Sequence, residues 1–350
     1  MSQSALIFGA GLAGTCMAHQ LLNKGLKVTL VDAGQNHSSA IAAGIVNPMV
    51  FRRMNKSWRL DEFLKEARGF YQALEQRLQS EFYQPISIRR FFSSHQERLL
   101  WELKSIDSAF ENYLEKITEE DLINKQADNQ FGSGRVKSAF WIDAAKFIAL
   151  NRQLFIENGN IIFNEFESNK WDPGTKKYDA INYDIVVFCL GYRQKNESTF
   201  AYLPLQQTKG QTLLIQSNQI TQKELLNRKC FVLPTKKNVF KVGATYEWNN
   251  ATLNTTKEAE AHLVQNLAAL GTYDYEILEQ TAGVRPTVLD RRPLMGEHPK
   301  FKGVFIFNGL GAKGYMMAPT LARELSEHIL FNTPLHPETN IKRFADSNGE

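Results

Sequence analysis

Three cysteines in 350 residues leave no disulfide framework to build on. Cys16, Cys189 and Cys230 are scattered and odd in number, and no CxxC pair is present. A reducing, cytoplasmic setting is the expectation. The seven histidines are dispersed, with neither HxxxH nor HExxH spacing, so no metal site is predicted. No apolar run approaches the roughly 18 residues of a membrane-spanning helix. The first strand begins within a few residues of Met1, so no signal peptide is expected. The sequons at Asn196 and Asn254 carry little weight without one. Repeats and low-complexity tracts are missing. The net charge of +4 is compatible with an anionic ligand but does not demand nucleic acid. What the chain has in quantity is apolar residues, 43% of the total, enough for about two domains with sizeable cores.

The densest signal lies at the N-terminus. Ser4–Phe8 reads as a short buried strand and is followed at once by Gly9-Ala10-Gly11-Leu12-Ala13-Gly14. An apolar-periodic helix then runs to Asn23-Lys24-Gly25, and a second strand, Lys27–Val31, ends in Asp32 and Ala33. This order is the context a dinucleotide fingerprint needs. Gly9 allows the tight turn, Gly11 admits a pyrophosphate against the backbone, and Gly14 lets helix and strand pack closely. The helix N-terminus offers free N–H groups and positive dipole to phosphate, and Asp32 is placed to accept ribose hydroxyls.

Further along, Ser57 to Gln79 reads as a long amphipathic helix with Ser57 as its N-cap. Ser94–Glu97 reads as a capping box, and residues 105–130 look loosely helical and peripheral. Asp143 opens a helix over Ala144–Glu157, closed by Asn158-Gly159. Strands are expected at Ile161–Phe166 and Ile185–Leu190, with short strands around the turn Asp172-Pro173-Gly174. From Leu203 the texture becomes β-rich: strands at Thr212–Gln216, Phe231–Leu233, Val239–Val242 and Glu276–Pro286 surround a helix at Thr256–Leu270. Val304–Asn308 returns to a buried parallel strand, and Gly309-Leu310-Gly311-Ala312-Lys313-Gly314 opens a final helix placed at Pro319–Leu330. A second glycine turn so late implies that the nucleotide domain closes with C-terminal sequence. The expected fold class is α/β: a Rossmann-like FAD-binding domain (1–82, 139–203 and 282–350) interleaved with an α+β substrate domain on a mostly antiparallel sheet (83–138 and 204–281).

The first turn alone does not separate NAD from FAD. The strand Tyr183–Gly191, ending Cys189-Leu190-Gly191, resembles the second flavoprotein strand motif, where backbone lies near the nucleotide. The late glycine loop offers N–H donors and helix dipole to the electron-rich end of a reduced isoalloxazine. No second GxGxxG marks a separate NADPH site. All three favour FAD.

Together these motifs resemble the flavin-dependent D-amino-acid oxidase superfamily, which includes glycine oxidase and monomeric sarcosine oxidase. The likeness runs from Gly9–Gly14 with Asp32 through Ser38-Ser39, Ala43-Gly44-Ile45-Val46-Asn47-Pro48 and Trp141-Ile142-Asp143. It continues through Cys189–Gly191, Lys209-Gly210-Gln211, Val242–Glu247, Ala282-Gly283-Val284-Arg285-Pro286 and Pro293–Gly296 to Gly309–Gly314. It implies an oxidoreductase that moves a hydride from the α-carbon of an amine or amino acid to flavin N5, the imine then hydrolysing. It also implies cofactor contacts from Gly9, Gly11, Leu12, Ala13, Gly14, Asp32, Ala33, Ser39, Ala43, Gly44, Phe166, Cys189, Leu190 and Gly191. Gly309, Gly311, Ala312, Lys313, Gly314, Tyr315 and Met316 would supply the rest.

By the same resemblance Arg285 grips the substrate carboxylate, Lys241 lies over the flavin for oxygen activation, Lys313 sets charge near flavin or substrate, and Tyr246 hydrogen-bonds substrate. Two departures stand out. Ala312 falls where glycine oxidase has an arginine, and Met316 where sarcosine oxidase has a carboxylate-binding lysine. No cysteine lies in Gly283–Asp290, so the FAD is expected to be held without a covalent bond. The late segment also looks like the oxidase domain of the bifunctional tRNA wobble-uridine modification enzyme. That leaves two alternatives: demodification of a carboxymethylaminomethyl uridine in tRNA, and an amine dehydrogenase using an acceptor other than oxygen. The expected partner is a small amine or amino acid, with nucleic acid only under the tRNA alternative. The sequence leaves the oligomeric state open.

Overall fold

The computed structural model describes residues 2–35 and 38–348. Its centre is a six-stranded sheet in the spatial order Ile161–Phe163, Lys27–Asp32, Ser4–Phe8, Ile185–Phe188, Val304–Asn308, Leu294–Glu297. The first five strands run parallel and the last antiparallel. Ile185–Phe188 and Val304–Asn308 are buried at every position, as a parallel strand covered on both faces requires. The first helix, Leu12–Asn23, packs against the final helix, Gly314–Phe331, so the two ends of the chain share one core.

A second, largely antiparallel sheet contains Leu205–Gln216, Phe231–Lys236, Val239–Gly243, Ile88–Phe91 and the long strand Glu276–Val288. Leu205–Gln216 and Glu276–Val288 pair along nearly their whole length. These strands are longer than their apolar patterns suggested, because threonine and glutamine continue the pairing past the hydrophobic stretch. The domain division drawn at 281/282 falls inside Glu276–Val288, which is continuous through that point.

Several local expectations change. The helix expected from Ser57 begins at Leu60, after Arg59 in the left-handed region at φ 46°. The Ser57 hydroxyl is used elsewhere: it donates to the Pro48 carbonyl at 2.8 Å and accepts from Lys313 Nζ. Ser94 caps its helix by accepting from Glu97 N, but the Glu97 carboxylate returns to the N–H of Ser93. Segment 105–130 contains one short helix, Glu119–Ile123, and is not peripheral. Its Asp121 is buried at 2.7 Å from Arg89, which also meets Glu224 at 2.8 Å.

The final helix starts at Gly314 rather than Pro319, and the proline lies inside it. Pro319 has no N–H for the carbonyl one turn back, that of Tyr315. The Tyr71 hydroxyl donates to that carbonyl at 2.8 Å, so the helix passes through the proline with the acceptor satisfied. Asp143, by contrast, caps Ala144–Glu157 as expected, accepting from Lys146 N, with Gly159 at positive φ beyond the end. No helix among the described residues is long and apolar enough to cross a membrane.

Candidate cofactor and substrate site

One cavity of about 930 Å³ runs between the two sheets. Its first wall is the N-terminal turn. Gly9 sits at φ +97°, and a Cβ there would lie 2.6 Å from the Cys189 carbonyl oxygen. A Cβ on Gly14 would lie 1.8 Å from the Gly9 oxygen. Both are therefore fixed by backbone contacts, and Gly14 packs behind the cavity while Gly9, Gly11, Leu12 and Ala13 line it. Ser39 Oγ accepts from the Leu12 N–H at 2.9 Å, and its backbone carbonyl accepts from the Tyr315 hydroxyl at 2.9 Å. Ser39 thus joins the first helix N-terminus to the first turn of the last helix.

Asp32 is buried beside Ala33 at the end of its strand. Its carboxylate accepts from the N–H of Ala10 at 2.7 Å and of Gly34 at 2.8 Å, and Arg152 lies at 3.1 Å. It pins the glycine turn as well as lining the cavity. Ala43 and Gly44 form a second stretch of wall. A Cβ on Gly44 would strike the Ile142 carbonyl at 1.8 Å, and the Trp141 indole donates to the Ala43 carbonyl at 2.8 Å.

Cys189, Leu190 and Gly191 line the opposite side with Phe166. The Cys189 thiol is buried and pushed up by desolvation, so it is inert, and the segment's contribution is its backbone. Gly191, at φ +58°, meets nothing where a Cβ would stand. Phe166 packs edge-on against Phe8, with ring centroids 4.7 Å apart.

The late glycine turn, packed beside the first turn, and the long strand supply further wall. Gly311, Ala312, Gly314 and Tyr315 line the cavity; Gly309, Lys313 and Met316 do not. Gly309, at φ +72°, is packed on Val288, whose Cγ2 would lie 2.8 Å from a Cβ. Met316 is buried in the core beneath the helix. Lys313 turns behind the wall, donating to the Asn47 carbonyl at 3.1 Å and to Ser57 Oγ; burial lowers its ammonium to about 8.

Lys241 also stays off the cavity lining. Its ammonium donates to the Ile41 carbonyl at 3.2 Å, burial lowers its pKa, and the charges of Asp143 and Glu279 act in the opposite direction. Ile41, at the end of the short helix Ser38–Ile41, lines the cavity itself.

Arg285 does enter the cavity. Its guanidinium lies over the Gly210 backbone, where a Cβ would come within 2.2 Å of Nη2. Nη1 donates to the Thr245 carbonyl at 3.4 Å, and the Tyr246 ring centroid is 5.4 Å from Cζ. Burial works against its charge, and no carboxylate among the described residues pairs with it. Tyr246 lines the same end but is 49% exposed, edge-on to Trp248 at 5.1 Å. The acidic lining residues, Asp32, Glu165 and Glu197, come from other segments than those carrying Arg285 and Tyr246.

Sequence reading missed Gly210 as the residue that makes room for Arg285. Its signal was the glycine inside Lys209-Gly210-Gln211, opposite Gly283 in the strand pairing. It also missed the chamber wall of Ile88, Leu225, Asn227 and Phe231, which no motif marks because the residues come from separate strands and their ends.

Residues 4–328 match the family described as DAO, FAD dependent oxidoreductase. The chain belongs to that family. Glycine oxidase of Pseudomonas aeruginosa is 23% identical to this DAO-family chain, covering 96% of it and 97% of the relative. The tRNA 5-methylaminomethyl-2-thiouridine biosynthesis bifunctional protein MnmC of Saccharophagus degradans is 22% identical. It covers 96% of this chain, which spans 54% of that larger protein. The crystal structure of glycine oxidase from Geobacillus kaustophilus superimposes with a TM-score of 0.81 at 16% identity, covering 97% of this chain and 98% of that one. The fold is therefore that of the FAD-dependent oxidoreductases, and the cofactor is FAD. The cavity fits that group. Its lining joins the backbone of the N-terminal glycine turn, bare of side chains at Gly9 and Gly11 beside the first helix N-terminus, to the second glycine turn and Arg285.

Proposed function

We propose that the protein oxidises the C–N bond of an amino acid or secondary amine that carries a free carboxylate. The observation that supports this most is Arg285: a half-buried guanidinium without a carboxylate partner among the described residues, opening into the same cavity as the dinucleotide cradle. A charge kept there unpaired is destabilising unless a ligand brings its counterpart. A guanidinium meets a carboxylate through two parallel N–H···O bonds, which fixes orientation as well as position.

FAD, when bound, supplies the two-electron acceptor, a hydride passing from the substrate α-carbon to its N5. Gly9 and Gly11, at the first helix N-terminus, would hold its diphosphate, and no covalent bond to the protein would be needed. Arg285 holds the carboxylate, and Tyr246 closes the rim above it. The chamber wall of Ile88, Leu225 and Phe231 excludes water, and no base is required, because the α-hydrogen leaves with its electron pair. The division of labour between an FAD-binding portion and a substrate portion, and the placement of the flavin ring under the second glycine turn, belong to the same proposal.

The test is an anaerobic titration of the purified yellow protein with amines and amino acids, following loss of the oxidised flavin band. Bleaching by carboxylate-bearing amines, and not by the matching decarboxylated amines, is the expected result. A protein bleached by neither class overturns the reading. Bleaching only by tRNA with modified uridine would transfer it to the activity that the MnmC name describes.

A further inference from the structure

Three partly buried cations, Arg285, Lys241 and Lys313, lie at or behind the cavity wall, and they differ in what answers their charge. Arg285 opens into the chamber. Lys241 lies off it, within the influence of Asp143 and Glu279. Lys313 has no opening into the cavity and no acidic partner among the described residues. Its ammonium contacts the Asn47 carbonyl and the Ser57 hydroxyl, both uncharged, and desolvation alone acts on it. It is also the N-cap residue of Gly314–Phe331, where the helix dipole is positive and opposes a cation. A methionine or glutamine would fill this place at lower electrostatic cost.

The site explains what the cost achieves. Asn47, Ala312 and Gly314 all line the cavity, so the ammonium lies one layer behind the wall formed by Asn47 and the late glycine turn. A cofactor filling the cavity would displace water from this wall, and a fixed charge then acts through it with less screening than in open solvent. The wall faces the cavity next to the first turn of the helix, the place proposed above for the ring of the cofactor.

We infer that Lys313 is an electrostatic positioning residue: its uncompensated charge, held behind the Asn47–Gly314 wall, favours the negative charge that two-electron reduction places on the flavin. The inference rests on the ring placement proposed above. Lys313 touches neither substrate nor cofactor; it acts through the loop it holds. Charge and hydrogen bonding are separable. Lys313→Gln keeps a donor for the Asn47 carbonyl without charge, Lys313→Met removes both, and Lys313→Arg keeps the charge.

The experiment is a spectroelectrochemical titration of the FAD-loaded wild type and the three variants at excess FAD, with thermal unfolding of the corresponding apoproteins. The expected result for Lys313→Gln and Lys313→Met is at least a tenfold loss of preference for reduced over oxidised FAD. For this two-electron couple that is a midpoint lower by about 30 mV. Lys313→Arg stays within threefold of wild type, and the Lys313→Met apoprotein melts higher than wild type, having lost a strained charge. An unchanged midpoint in both neutral variants overturns the inference. So does a lower midpoint in Lys313→Met alone, which would trace the effect to the hydrogen bond, or an apoprotein that melts lower, which would make Lys313 a clamp for the fold. The electrode supplies the electrons, so the result does not depend on which amine, if any, is oxidised.

Discussion

The two glycine turns join strand to helix at the same end of one sheet, yet they are built on different principles. The first, Gly9–Gly14, is dictated by backbone: added Cβ atoms at Gly9 and Gly14 would meet carbonyl oxygens at 2.6 and 1.8 Å. The second, Gly309–Gly314, is sterically lenient. At Gly309 an added Cβ meets the Val288 side chain at 2.8 Å and the Leu294 side chain and N–H nitrogen at 3.3 Å, whereas at Gly311 the nearest atom is 3.8 Å away. Their helices differ as well. The first carries a buried histidine, His19, bonded to Asn151, whose ring burial lowers to about 4. The second is capped by a buried lysine. One turn is a rigid mould, and the other is a permissive loop that carries a charge.

Substitutions sharpen this contrast. Gly14→Ala, which drives a methyl into the Gly9 carbonyl, is expected to cost more than about 4 kcal/mol, beyond the ordinary range for one residue. Urea unfolding of the apoprotein measures it, and a loss under 1 kcal/mol would show that the mould can relax. The two buried bases come next, each worth about 3 kcal/mol but at opposite ends of the pH scale. His19 has a lowered folded pKa, so the unfolded chain binds more protons between about pH 6.5 and 4, and stability falls as pH drops through that window. His19→Gln, which keeps a donor for Asn151, removes this component of acid sensitivity in pH-dependent melting. Lys313 is also lowered, so the same sign applies between about 10.5 and 8. Apoprotein stability rises as pH climbs through that interval, and Lys313→Met abolishes the rise.

Smaller effects separate the chamber from the turns. Arg285→Ala is expected to weaken carboxylate-bearing ligands by about 2 kcal/mol or more, roughly 30-fold in KM or Kd. Arg285→Lys recovers only part of this, because a point charge lacks the paired donors. Equal affinity in all three proteins would make Arg285 structural. Gly311→Ala is expected to cost only about 1 kcal/mol, the penalty for a left-handed residue with space around it. A loss as large as that of Gly14→Ala would erase the distinction between the two turns.

The chain announced its two glycine turns because each depends on short spacings of strand, glycine and helix; Arg285 was named by resemblance, and the structure brings it to the cavity wall. The chain did not announce what burial does to lysines. Lys241 and Lys313 occupy promising places in their motifs, yet the carbonyls of Ile41 and Asn47, far away in sequence, draw both ammonium groups behind the cavity wall. Its neighbours mark Ser57 as a helix cap, whereas Lys313, the residue just before the last helix, claims its hydroxyl. Pro319 was read as a helix start because a local pattern has no means of showing that the Tyr71 hydroxyl repairs the missing bond. In each case a long-range polar partner overrode a sound local preference. The apolar periodicities, which depend on neighbours alone, placed most strands and helices correctly apart from their ends.

The unbroken strand Glu276–Val288 has a consequence for how such a molecule can vary. Arg285 and the buried Val284 lie on opposite faces because side chains alternate along a strand. Gaining or losing one residue between Glu279 and Arg285, where the pairing is in unbroken register, would exchange the two, turning an aliphatic group into the chamber and a cation into the packing behind it. Lineages carrying this fold are thus free to alter chamber chemistry by exchanging residue types along the strand, while its reading frame of faces stays locked.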